Sequence, residues 1–322
     1  MFLSDAKNKD LKRRMIEMEN PGTKNNLTNT ELFPPIRLAE WEPTKDTLHL
    51  WTQIIGKIRL VQTPLINHFW NVTLYISARG LTTSAIPYEK GVFEIEFDFI
   101  DHNLVIKTSQ GETKTIRLEP KSVARFYEEV MKTLRSLGIN CVIHAVPDEI
   151  PNAIPFAEDE VHKSYDSKYA NRFWQILIQV ANIFREFRAS FIGKCSPVHF
   201  FWGSFDLAVT RFNGDLAPKR ENADFITREA YSHAVISHGF WFGGNGMEAA
   251  FYAYAAPEPD GLKTIQVKPK EAFYSKDMNE LFLMYEDVRK SNSPKEELIS
   301  FLNSTYDASA NLAHWQRSKL ER

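Results

Sequence analysis

What this chain lacks narrows its class before any motif is read. No apolar run approaches the roughly 18 residues that a membrane-spanning helix requires, so no membrane partner is expected. Cysteine is scarce: Cys141 and Cys195 stand far apart without CxxC spacing. That argues against a disulfide framework or a structural zinc site and for reduced thiols. Neither charge sign dominates, because 39 Lys and Arg face 41 Asp and Glu for a formal net charge of -2. Such a balance points away from nucleic acid as a partner. Residues 1–20 are charged and carry no apolar block of an export signal, so a cytoplasmic address is expected.

Aromatic side chains, in contrast, are abundant. They make up 13% of 322 residues, with 23 Phe and 7 Trp, and each ring buries a large area, so a well-filled interior follows. The length sits at the upper limit for one hydrophobic core. A tail over residues 1–32 includes a breaker-rich stretch at 21–30. A first α+β half over 33–150 and a second over 151–322 are divided by the Pro-rich segment 147–155 and the acidic run Glu158-Asp159-Glu160.

Periodicity supplies the elements. Trp51, Ile54, Ile55, Ile58 and Val61 recur at helical spacing up to Pro64. A strand is expected over 67–79. An antiparallel meander over 93–118 follows, with Phe93, Ile95, Phe97 and Phe99 inward and Glu94, Glu96 and Asp98 outward. A helix opens after Pro120 and stops at Gly138, and residues 141–146 read as a closing strand. The second half starts with a helix capped near Asp166 or Ser167 and running to about Ser190, apolar over much of its circumference. A strand over 199–212 comes next, then a patternless stretch over 213–248, strands over 250–255 and 264–267, and a helix over 295–315.

The halves resemble one another. Leu50-Trp51-Thr52-Gln53-Ile54-Ile55 resembles Phe173-Trp174-Gln175-Ile176-Leu177-Ile178; His68-Phe69-Trp70 resembles His199-Phe200-Phe201-Trp202; residues 116–121 resemble 265–270. The offsets rise in chain order, as insertions in a second copy require, so the fold expected is α+β, built from two related helix-plus-antiparallel-sheet units by internal duplication. Aligning the strands puts Trp202 one residue out of register, and a bulge at Gly203 would restore its facing.

The most unusual text is 194–211, where Lys194, Cys195, His199, Trp202, Asp206 and Arg211 lie among large apolar residues. A charge beside a buried strand must be paired or is expensive, so an Asp206–Arg211 pair beside a pocket is expected, with His199 titrating nearby; a structural ion pair at a strand end is the bland alternative. Within the patternless stretch, Tyr231, His233, His238 and Trp241 beside glycines suggest a lid over a flat ligand. His233 and His238 are five apart, which suits neither one helix face nor one strand face, so no metal ligands are assigned. The row Glu94, Glu96, Asp98 reads as a solvated face carrying cross-strand salt bridges, and Cys195 as an inert thiol.

The strings at 47–54, 77–83, 191–206 and 228–233 resemble an uncharacterised, mainly bacterial family known as a domain of unknown function, over about residues 33–315. The resemblance implies no activity, and the cofactor is left unknown. The leading expectation is an enzyme or ligand-handling protein for a small polar or aromatic molecule, its site in the second half near the cleft between halves. His199, Asp206, Arg211 and His233 would be catalytic, and Tyr231, His238, Trp241, Trp202, His68 and Arg79 would bind the ligand. A non-catalytic interaction protein and a metal-dependent enzyme are the rivals.

Overall fold

The computed structural model describes residues 32–322; the tail expected over residues 1–32 lies, except for residue 32, outside the described residues. Helix α1, Leu38–Gln62, starts earlier than its apolar stripe suggests and contains Pro43. Strands β1 (Tyr75–Ile76), β2 (Gly80–Thr82), β3 (Ile86–Tyr88), β4 (Gly91–Asp98), β5 (Asn103–Thr108) and β6 (Thr113–Arg117) follow. Their sheet runs β1-β2-β4-β5-β6 with β3 also on β4, all antiparallel. Helix α2, Val123–Ser136, is capped by the Ser122 hydroxyl. Phe93, Ile95, Phe97 and Phe99 are buried as their alternation requires, while Glu96 faces Lys107 across β4 and β5 at 4.0 Å.

Helix α3, Ser167–Ala189, is capped by the Asp166 carboxylate, as expected. A second antiparallel sheet comprises β7 (His199–Phe201), β8 (Asp206–Leu216), β9 (His233–Trp241), β10 (Ala250–Ala256), β11 (Phe273–Ser275) and β12 (Glu280–Met284), in the order β11-β12-β10-β9-β8-β7. The short helix α4, Phe225–Ala230, lies between β8 and β9. Helices α5, Tyr285–Lys290, and α6, Pro294–Leu312, close the chain. Among the described residues, then, helices accompany two antiparallel sheets, an α+β fold.

Several elements differ from their sequence patterns. The strand expected over 67–79 begins as a tight turn, because His68 and Phe69 both take left-handed backbone conformations, at φ 59° and 57°. The strand expected over 199–212 is a hairpin: β7 and β8 pair through Phe201 and Asp206, and Trp202–Phe205 form a turn in place of the bulge. The patternless stretch contains β9, a central strand. Its alternation was masked because His238 points to the apolar side and Gly239 to the other. Residues 141–146 and 264–267 are not strands.

The apolar core is continuous across residue 150. Phe173 of α3 meets Trp41 and Phe99 from the first half and Phe200, Phe205 and Phe242 from the second. Leu74 and Phe200 exchange both backbone hydrogen bonds, at 2.9 and 2.8 Å, which sets β1 beside β7.

Candidate functional site

The second sheet has two faces of different character. Leu207 and Val209 on β8, Ile236 and Phe240 on β9, and Phe251 and Ala253 on β10 enter the core. The alternate residues turn the other way: His199 and Phe201 on β7, Asp206, Ala208, Thr210 and Phe212 on β8, Val235 and Ser237 on β9, and Tyr252 and Tyr254 on β10. With the 67–73 segment, Glu149 and α4 as walls, they enclose a cleft of about 450 Å³. A recess of about 240 Å³ shares Ser204, Asp206, Tyr231, Tyr252 and Tyr254 with it and adds Trp241, Met278, Glu280 and Phe282.

Local structure explains the wall. The left-handed turn at His68 is held from α4: the His68 amide donates to Glu229 Oε1 at 3.1 Å, and its Nδ1 donates to the carbonyl oxygens of Glu229 and Ala230 at 3.1 and 3.2 Å. Because a carbonyl only accepts, this imidazole carries its proton on Nδ1, and Nε2 is left buried with a lone pair and no partner among the described residues. Its ring stacks on Phe212 at 4.4 Å and meets His233 edge-on at 5.4 Å. Burial, with the Lys194 charge adding to it, holds His68 below its ordinary pKa. His199 repeats the arrangement, since Nδ1 donates to the Pro197 carbonyl at 2.8 Å and burial lowers its pKa. Both rings are thereby neutral acceptors at neutral pH.

Asp206 lies on the floor at 5% exposure. Tyr252 donates its hydroxyl to Oδ2, while Oδ1 is buried without a hydrogen-bond partner among the described residues. Burial pushes this carboxyl up to about 7, against the Tyr252 hydrogen bond that lowers it. Glu280 rises to about 7 as well, through burial and the charge of Asp206, and burial raises Glu149, which accepts from Ser204 Oγ at 2.7 Å. Tyr252 sits well above the usual phenol range and stays protonated. Tyr252 reaches Asp206 by crossing β9 at Gly239, which pairs with both Ala208 and Tyr252. A Cβ at Gly239 would overlap the Tyr252 ring. Tyr231 lines the opposite wall, its hydroxyl 2.8 Å from that of Tyr254 and the Arg220 guanidinium 4.0 Å over its ring.

The expected site is therefore partly assembled and partly dispersed. His199, Asp206, Tyr231 and His68 line the cleft, Trp241 lines the recess, and His233 touches His68. Arg211 does not pair with Asp206, because five residues apart on one strand means opposite faces. Its guanidinium packs 3.6 Å over Phe187 and donates to the Phe187 carbonyl and Ser190 Oγ, and burial lowers its pKa to about 10. His238 is fully buried on that same side, its Nε2 3.0 Å from Thr305 Oγ1. Trp202 closes over Gly56, and its indole donates to the Val72 carbonyl at 2.8 Å; it forms no part of the cleft. Arg79 serves the first sheet, pairing with Asp98 at 2.7 Å and Asp101 at 2.6 Å. Nor do His238 and Trp241 form a mobile lid, since both belong to β9.

Sequence reasoning missed Tyr252, Tyr254, Glu280 and Glu149. The tyrosines were legible by parity, since Phe251, Ala253 and Ala255 face the core and the alternate positions must face away. Glu280 sits on β12, which carries too little alternation to announce itself, and Glu149 lies in the Pro-rich connection. Among the described residues, no three His, Cys, Asp or Glu side chains converge as metal ligands, and no helix is long and apolar enough to cross a membrane.

The chain belongs to a family of unknown function, DUF5996, whose model matches residues 33–322. No curated protein and no solved structure matches it.

Proposed function

We propose that this family member binds a small polar or aromatic molecule in the cleft and exchanges a proton with it through Asp206. One observation carries the reading: a cavity-lining carboxyl nearly closed off from water, with one oxygen held by Tyr252 and the other unpartnered among the described residues. Leaving such an oxygen unsatisfied in a packed core is expensive, whereas a ligand hydroxyl or amine would satisfy it. A carboxyl titrating near 7 also suits general acid–base work at neutral pH. Tyr252 orients it and stabilises the anion, while His199 offers a neutral Nε2 as a second acceptor. Tyr231 and Trp241 supply flat apolar walls.

A shared ancestry of the halves complements this reading. Each sheet follows a long helix and precedes another, and the sheets meet at Leu74 and Phe200. The equivalence lies in architecture rather than residue register: His68 occupies a turn and His199 a strand, while residues 116 and 265 fall in a strand and a loop.

Thermal-shift screening of small polar and aromatic metabolites tests the function, because a ligand of the native state raises its stability. A hit should raise Tm in the native chain and in Arg79→Ala, and lose its effect in Asp206→Asn and Tyr252→Phe. A hit indifferent to both cleft substitutions would refute the assignment.

A further inference from the structure

The cleft reading leaves the charge of the ligand open, and the distribution of ion pairs narrows it. Elsewhere on the chain carboxylates find cations: Asp98 with Arg79, Glu129 with Lys121, Asp148 with Lys57, and Glu286 with Arg289. Among the described residues, Asp206, Glu149 and Glu280 have no such partner. No described cationic side chain acts on Asp206 or Glu280; Glu149 acts on Asp206 as a like charge, and Asp206 acts on Glu280 in the same way. Like charges gathered without a counter-ion in a desolvated recess oppose one another until a cation arrives.

The rings around them suit a cation as well. Tyr252 and Tyr254 stack at 6.0 Å beside the carboxyls, and Trp241 and Phe282 line the recess with Glu280. Aromatic faces attract ammonium and guanidinium groups, and one wall already does so, with Arg220 over Tyr231. Asp206 lines both the cleft and this recess, and its Oδ1 is buried without a partner among the described residues.

Resting on the cleft assignment above, we infer that the ligand is a small organic cation, an amine or amidine on a flat or short apolar body, whose charged head sits between Asp206 and Glu280. The head pairs with the Asp206 carboxyl, Glu280 balances its charge, and the tyrosine and tryptophan rings hold the body.

Calorimetric titration of the full chain at pH 8, with three probes sharing one ring, tests this. Tyramine is the cation, 4-ethylphenol the neutral counterpart, and 3-(4-hydroxyphenyl)propionate the anion. Tyramine should bind at least about tenfold more tightly than 4-ethylphenol, and the anion should not bind. Glu280→Gln and Glu149→Gln, checked for native circular dichroism, should each weaken tyramine severalfold and leave 4-ethylphenol unchanged. Should either substitution unfold the chain, the probe comparison on the native protein still decides. Neutral or anionic probes binding as well as tyramine, with binding lost in Asp206→Asn, would overturn the cation and leave the cleft reading intact. Silence from all three probes would overturn both.

Discussion

At the scale of one residue, Asp206 stands out as a buried carboxyl lining the cleft. Its carboxyl rises from 3.8 to about 7 on folding, so the folded state holds a proton that the unfolded chain releases. The sign follows: its contribution to stability is full below pH 4 and disappears as pH rises through 7. With 1.36 kcal/mol for each pKa unit, the chain should lose on the order of 3 kcal/mol between pH 4 and pH 8 from this group. Glu280 adds in the same direction. Urea unfolding of the native chain and Asp206→Asn across that range checks it, and the variant should show the shallower pH dependence. Arg211 presents the opposite case, a buried cation held on the core side by a carbonyl, a hydroxyl and the Phe187 ring, with its Nε left without a partner among the described residues. Arg211→Ala should cost roughly 3 kcal/mol through lost packing and unsatisfied partners while leaving ligand response in the cleft unaltered. An altered ligand response would show that the two faces of the sheet communicate.

Among the elements, β9 decides the most. It separates β8 from β10, and its one glycine on the cleft side, Gly239, lets the Tyr252 ring pass over to Asp206. Gly239→Ala should push Tyr252 aside, strip Asp206 of its donor and raise its pKa further. Ligand-induced stabilisation should vanish although the added methyl is far smaller than the groups it displaces. A titration of Asp206 followed by carbonyl infrared or carboxyl NMR would register the change, and an unmoved pKa would contradict the geometry. The same strand shows why the site was only half legible. In β9, His238 enters the core and Gly239 faces the cleft, so the apolar–polar alternation that marks a half-buried strand is broken at its centre. The regular text of β4, by contrast, could be read directly, as could the caps of α3.

For the whole molecule, the cleft depends on both halves. His68, Trp70 and Thr73 come from before residue 150 and the sheet floor from after it. Phe173 carries the mechanical link, touching rings from either side. Phe173→Ala should therefore cost about 4 kcal/mol, within the range for emptying an aromatic site. Thermal unfolding followed by tryptophan fluorescence and by far-ultraviolet circular dichroism should give coincident transitions in the native chain. Separate transitions would mean that the shared core does not couple the halves.

Composition and period by themselves determined an aromatic-rich α+β chain, the main helices and the meander of the first sheet, and singled out the segment whose His199 and Asp206 line the cleft. Family membership was legible too, from strings long enough to be specific. Only the tertiary structure decided which polar residues meet. Facing depends on strand parity, parity depends on where each strand starts and turns, and the turns at His68 and after Trp202 were hidden within texts that look extended. That is why Arg211 and His238 went to the core, Arg79 to the other sheet, and Tyr252 and Glu280 came instead to Asp206.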